Sequence, residues 1–222
     1  MEKNIFISIC RFLTQLLFLS LFVIGFISFK TLMLPIIIIS VFLGPFFCGW
    51  MCFLGFYQDI CRYIGKFIKK EPFEPSEKAH NILKYLRYVI LIGAITVGGF
   101  FLFPQKVWGN FAMILKGNIS LNFIFYFLIF LGVLSLFTKR FFCRYLCPIG
   151  AKLGLFSLLR PITINKDASC ISCRLCSKKC PMKIPIHKVN SLASPNCISC
   201  LKCIEVCPEK SLKIGIRNYL KP

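Results

Sequence analysis

Four long runs without a charged side chain constrain this chain before anything else: Phe12–Phe29, Thr31–Gln58, Tyr88–Gln105 and Gly117–Thr138. Each approaches or exceeds the roughly 20 residues that cross about 30 Å of hydrocarbon. Backbone polar groups cannot stay unpaired in lipid, so the runs predict helices. The expected spans are 6–29, 33–56, 82–103 and 119–138, the second kinked or partly re-entrant at Pro35, Gly44 and Pro45. Buried core helices of a soluble protein fit poorly with four such runs in 222 residues, 57% of them apolar. The first run is too long for the apolar part of a signal peptide, and no small-residue cleavage site follows it, which predicts a retained anchor.

A net charge of +20 would suit nucleic acid, but its distribution argues otherwise. With four spans, 25 of the 28 basic residues share one side, seven of them in the 59–87 loop and sixteen from Lys139 onward. Only Lys30, Lys106 and Lys116 fall on the other. This positive-inside pattern predicts a multi-pass protein of a prokaryotic cytoplasmic membrane, with both termini on the cytoplasmic side. The same charge attracts anionic lipid headgroups, and nucleic acid is not needed as a partner.

Fourteen cysteines in a secreted protein would suggest disulfides, but twelve of these form spaced motifs on the side where thiols stay reduced. Cys170-x2-Cys173-x2-Cys176-x3-Cys180-Pro181 recurs as Cys197-x2-Cys200-x2-Cys203-x3-Cys207-Pro208. This is the spacing of bacterial two-cluster ferredoxins, in which the fourth cysteine of each run serves the other cluster. The expected ligands of one 4Fe–4S cluster are Cys170, Cys173, Cys176 and Cys207, and of the other Cys197, Cys200, Cys203 and Cys180. Zinc also uses paired C-x2-C motifs, but two complete runs each closed by proline disfavour it. The segment is too small to build a core unaided, so cluster assembly is expected to supply its folding free energy.

A second repeat lies nearer the spans. Phe46-Phe47-Cys48-Gly-Trp-Met-Cys52-Phe-Leu-Gly55 matches Phe141-Phe142-Cys143-Arg-Tyr-Leu-Cys147-Pro-Ile-Gly150, 95 residues on. Two parallel helix-pair halves are the simplest account. The i, i+4 spacing predicts each pair on one helix face, with about 5–6 Å between Cβ atoms, long for a relaxed disulfide. Four thiolates from Cys48, Cys52, Cys143 and Cys147 are the expectation for a third cluster or metal site, against buried inert cysteine. Cys10 and Cys61 fit no pattern and read as structural. His80 and His187 lie outside the spans, so no haem b is expected within the membrane. Asp59 is the candidate proton or quinone contact, against a solvated acid paired with Arg62 or Lys66.

At these residues the chain resembles the NapH/NosR/CcoG-type membrane iron–sulfur proteins, over nearly its whole length. Cys143-Arg-Tyr-Leu-Cys147-Pro148 fits their C-x3-C-P motif, and Cys48-Gly-Trp-Met-Cys52 fits except that Phe53 stands for the proline. The short four-span form looks most like the NapH branch, which implies electron relay between the quinone pool and a partner redox protein. The expected fold is an all-α membrane domain over 1–160 with a small two-cluster ferredoxin-like domain over 161–222. The expected function is single-electron transfer at the cytoplasmic face. The competing reading is a metal-handling or assembly factor that binds or reduces an ion such as copper at the repeat thiolates. No Rossmann glycine fingerprint, P-loop or Ser/His/Asp constellation is present, which favours a subunit of a redox complex over a stand-alone enzyme.

Overall fold

The computed structural model describes residues 6–24, 29–68, 73–96 and 123–217. They belong to two compact units that alternate along the chain. One comprises Met1–Leu16, Pro35–Cys52 and Leu153–Pro222, the other Leu17–Leu34 and Phe53–Lys152. Residues 153–160 group with the cysteine-rich part that follows them. The unit that holds the cysteine-rich segment also takes in the start of the chain and the first repeat motif.

In that unit, α1 (Phe6–Val23) begins beside the cysteine-rich segment. Ser8 donates its backbone N–H and its hydroxyl to the Glu205 carboxylate, at 3.2 and 2.6 Å. The expected 33–56 span is interrupted. α2 (Phe29–Leu43) stops at Gly44, whose φ of +78° is one that glycine adopts without a Cβ penalty, and Pro45 cannot donate to the preceding turn. The chain resumes as the short helix α3 (Phe46–Trp50), and the two helical stretches Pro35–Leu43 and Phe46–Phe67 are bent by 96°. That agrees with a kinked or re-entrant segment.

The second unit is built on α4 (Phe53–Ile68), α5 (Glu77–Thr96), α6 (Phe123–Phe137) and α7 (Phe141–Tyr145). The Ser76 hydroxyl accepts from Ala79 N–H and caps α5. α4 packs along α6, with the Tyr57 hydroxyl donating to Leu128 O at 3.0 Å and Arg62 to Leu136 O at 2.7 Å, on one of the last carbonyls of α6. α7 packs against α5, where His80 and the Tyr145 hydroxyl share a 2.9 Å hydrogen bond.

Among the described residues no single helix is both long and apolar enough to cross a membrane, and the bent pair is suited to it by length and composition. Residues 25–28, 97–103 and 119–122 of the expected spans lie outside the described residues.

After α8 (Pro148–Phe156) the remaining chain is not purely helical. β1 (Ile162–Lys166) pairs antiparallel with β2 (Leu212–Ile216), from Ile162 opposite Ile216 to Lys166 opposite Leu212. Two short helices, α9 (Leu175–Lys179) and α10 (Lys202–Glu205), lie between the strands.

Candidate metal centre

The strand pair brings the two ends of the cysteine-rich segment together. Asp167 N–H donates to Ser211 O at 2.8 Å, so Cys207 comes beside the run that starts at Cys170. The two runs have the same backbone at an offset of 27 residues. Ser172, Arg174 and Lys183 have φ of 53°, 62° and 55°; Ser199, Leu201 and Lys210 have 50°, 57° and 48°. Cys180 N–H bonds Ser177 O and Lys183 N–H bonds Cys180 O, as Cys207 bonds Ile204 O and Lys210 bonds Cys207 O. Each non-glycine residue in this region costs on the order of 1–3 kcal/mol, and six of them persist in matched places. Left-handed residues set among right-handed ones form the nests of backbone N–H groups that receive anions and iron–sulfur clusters.

Two cavities lie within this frame. Cys170, Cys173, Cys176 and Cys207 line one. Cys180, Cys197, Cys200 and Cys203 line the other. Each draws three thiols from one run and one from the other. Among the described residues no three histidine, cysteine or acidic side chains gather closely enough for a single metal ion. The cysteines instead stand around spaces.

The spaces differ in character. The second is lined by its cysteines and by apolar side chains such as Ile164, Met182 and Leu192, with Cys197, Cys200 and Cys203 all buried. Burial, with the neighbouring thiols adding to it, pushes the Cys203 thiol up and Cys180 up to about 12. Cys197 is also raised by burial, opposed by the Arg160 guanidinium, which is 2% exposed and also donates to Leu192 O. Thiols so placed become thiolates only against a strong positive charge, which the irons of a cluster supply. The first cavity is more open: Cys173 is exposed, and Lys166, Arg174, His187 and Glu209 line it.

The repeat cysteines have a different local geometry from the expected one. Cys48 and Cys143 lie in α3 and α7, but Cys52 and Cys147 stand just past the helix ends. The Phe47 carbonyl accepts from both Met51 and Cys52, and Phe142 O from both Leu146 and Cys147, each Cys N–H at 2.9 Å. A five-residue helix ending in this shared carbonyl turns its second cysteine off the helical path, so the pairs do not share one helix face. The copies match despite Phe53, because α4 starts at Phe53 as α8 starts at Pro148. Cys48 and Cys52 belong to the first unit and Cys143 and Cys147 to the second.

Asp59 has a partner other than the expected ones. Arg140 Nε and a terminal nitrogen hold its two carboxylate oxygens at 3.0 and 2.8 Å. Three site residues carry no usable sequence signal: Arg160, at the expected domain limit; Gly49, whose added Cβ would collide with Ile198 O; and Gln58, which donates to Cys143 Sγ. Buried Arg144 is similar: desolvation opposes its charge, yet Glu74 at 2.9 Å outweighs this and raises its pKa.

Two cysteine-lined cavities in a doubled nest define the class of iron–sulfur proteins. Residues 162–208 match the family described as 4Fe-4S dicluster domain, and 24–71 and 121–166, the two repeat copies, each match 4Fe-4S binding domain. An uncharacterized protein of Methanocaldococcus jannaschii is 38% identical over 68% of this chain and 64% of its own. YccM of Escherichia coli, named as a candidate electron transport protein, is 32% identical over 71% of this chain and 47% of its own. The ferredoxin-type protein NapH of Haemophilus influenzae is 31% identical over 64% and 50%. The chain thus spans less than two thirds of these relatives. No solved structure matches it. The chain belongs to the NapH/NosR-type family of 4Fe–4S proteins.

Proposed function

We propose that this chain relays single electrons at the cytoplasmic face of a membrane, between a membrane-dissolved donor or acceptor such as quinol and a redox partner protein. Cys170, Cys173, Cys176 and Cys207 hold one 4Fe–4S cluster, and Cys197, Cys200, Cys203 and Cys180 the other, in the segment 161–222. The observation that carries this reading is the lining of the two cavities, three thiols from one run and the fourth from the other. A bound cluster supplies a one-electron couple. The chain's residues supply the thiolates, the nests, and at Cys197 the charge of Arg160.

Membrane embedding is supported by apolar stripes left bare on single helices. Ile82, Val89, Ile92 and Ile95 on α5 are exposed, as are Ile129, Phe130, Val133 and Phe137 on α6 and Phe6, Ile9, Leu13 and Leu17 on α1. Water penalises contiguous apolar faces of that extent and lipid does not. The one-sided distribution of basic residues supports the cytoplasmic placement of the clusters. We also read each repeat pair as thiolate ligands of a further metal group, on its Cys-x3-Cys spacing.

The test is anaerobic purification of the full chain in detergent, with iron and sulfide counts and EPR of the reduced protein. About eight irons are expected from the ferredoxin-like pair, and about twelve if the repeat cysteines hold a further cluster. A colourless, iron-free preparation overturns the proposal.

A further inference from the structure

The two cavities are unlike in a way that bears on what meets this protein. The buried one is backed by α3. Gly49 has no Cβ, and an added one would strike Ile198 O and lie 3.4 Å from the Cys200 backbone. Trp50 Nε1 donates to Ser199 O at 3.0 Å, and the Ser199 hydroxyl to Leu43 O at 2.7 Å. Among the described residues of this unit, no such glycine contact or side-chain hydrogen bond from α3 reaches the other cavity. Its Cys173 is exposed, and Ile171 beside it is 63% exposed, with Leu175 also bare. Arg174 stands at the same rim, and Lys178 and Lys179 follow in the last turn of α9, all exposed. Residues 161–217 carry ten basic side chains against three acids.

We infer that this rim, Ile171 with Arg174 and Lys179 around Cys173, is the docking surface for an acidic redox protein. The inference rests on reading that cavity as a cluster site. A small apolar centre inside a charged border is the anatomy of a transient protein interface, in which the charges steer encounter and set orientation. An anionic membrane surface would also attract the lysines, but the acids favour a protein. Glu209 lines the same rim, and Asp167, three residues before Cys170, is exposed and paired with Lys213 at 3.1 Å. A partner protein can set a cation opposite Glu209, which a sheet of anionic headgroups does not. A bilayer over Cys173 would also cover the one exposed cysteine of the two sets with insulating lipid.

The test compares the detergent-solubilised holoprotein with its Lys178→Glu/Lys179→Glu variant, both exposed on α9 and outside the cavity lining. Binding of a fluorescently labelled acidic flavodoxin is followed by anisotropy over a range of salt concentrations. In parallel, the proteins are mixed with vesicles containing one-third phosphatidylserine. The expected result is at least tenfold weaker flavodoxin binding by the variant, with a shallower salt dependence, at unchanged iron content and unchanged vesicle binding. Equal flavodoxin binding by the two proteins overturns the inference. So does a loss confined to the vesicles, which assigns the rim to lipid. An iron-free parent protein would instead strike at the cluster reading itself.

Discussion

Gln58 Nε2 lies 3.3 Å from Cys143 Sγ, and its Oε1 accepts the Phe142 backbone N–H at 3.1 Å, on a side chain that is 0% exposed. One amide from α4 thus holds both the backbone of the second repeat motif and the sulfur of its first cysteine. Gln58→Leu leaves the Phe142 N–H buried without this acceptor, at a cost of about 1–3 kcal/mol, seen as a lower thermal unfolding midpoint in detergent. Gln58→Glu keeps the acceptor and loses the donor. It is expected to recover more than half of that loss. Equal losses in the two variants would shift the weight to the sulfur contact.

Cross-ligation gives an asymmetric prediction. Cys180 belongs to the first run in sequence but lines the cavity of the second. Cys180→Ser should therefore disturb the buried site and spare the exposed one, and Cys207→Ser the reverse. EPR of the reduced variants, with iron counts, separates the two. If Cys180→Ser instead removed the site of Cys170, Cys173 and Cys176, the assignment would be wrong.

The sequence made the cysteine runs legible because what marks each run is local: the spacing and the closing proline. The break at Gly44-Pro45 was legible for the same reason. Partners across the chain were not. Arg140 meets Asp59 from 81 positions away, while α4 sets Arg62 against a carbonyl of α6. Nor does a lone glycine in a Cys-Gly-Trp stretch announce that another backbone lies against it. The turn at Cys52 and Cys147 is not legible, because i, i+4 spacing persists through a helix end that only the shared carbonyl reveals.

Gly49 and Gly93 offer a matched pair. A Cβ at Gly49 meets the Ile198 carbonyl, which cannot move without shifting the loop that carries Cys197 and Cys200; one at Gly93 meets nothing within 4 Å. Gly49→Ala should lower iron occupancy of the buried site and weaken its EPR signal. Gly93→Ala, in α5, should be neutral or stabilise by about 0.5–1 kcal/mol. Full iron content in Gly49→Ala would show that α3 does not press on the loop as described.

Arg160 places a buried positive charge beside Cys197. Adding an electron to the site makes it more negative, so a nearby cation stabilises the reduced form. Arg160→Gln should lower the midpoint potential of the buried site by about 59 mV or more, one tenfold step for a one-electron couple. A redox titration followed by EPR reads this directly, with the exposed site as internal control. An unchanged midpoint in protein of full iron content would leave Arg160 with a packing role only.

The Asp59–Arg140 pair tests whether the acid is structural or a proton and quinone contact. Arg140 is wholly buried and Asp59 keeps about a quarter of its side chain exposed. Removing one partner of a fully buried pair costs about 3–5 kcal/mol, so Asp59→Asn should fall near about 2–3 kcal/mol given that water access. Arg140→Met should cost a similar amount, and the double variant less than the two together by on the order of 1 kcal/mol or more, because neither charge is then left alone. Thermal unfolding of all four proteins in detergent gives the cycle. Because Arg140 occupies both carboxylate oxygens, quinol-dependent reduction of the clusters should survive in whatever Asp59→Asn protein remains folded. A variant that unfolds like the parent but no longer accepts electrons from quinol would give Asp59 the proton-handling role instead.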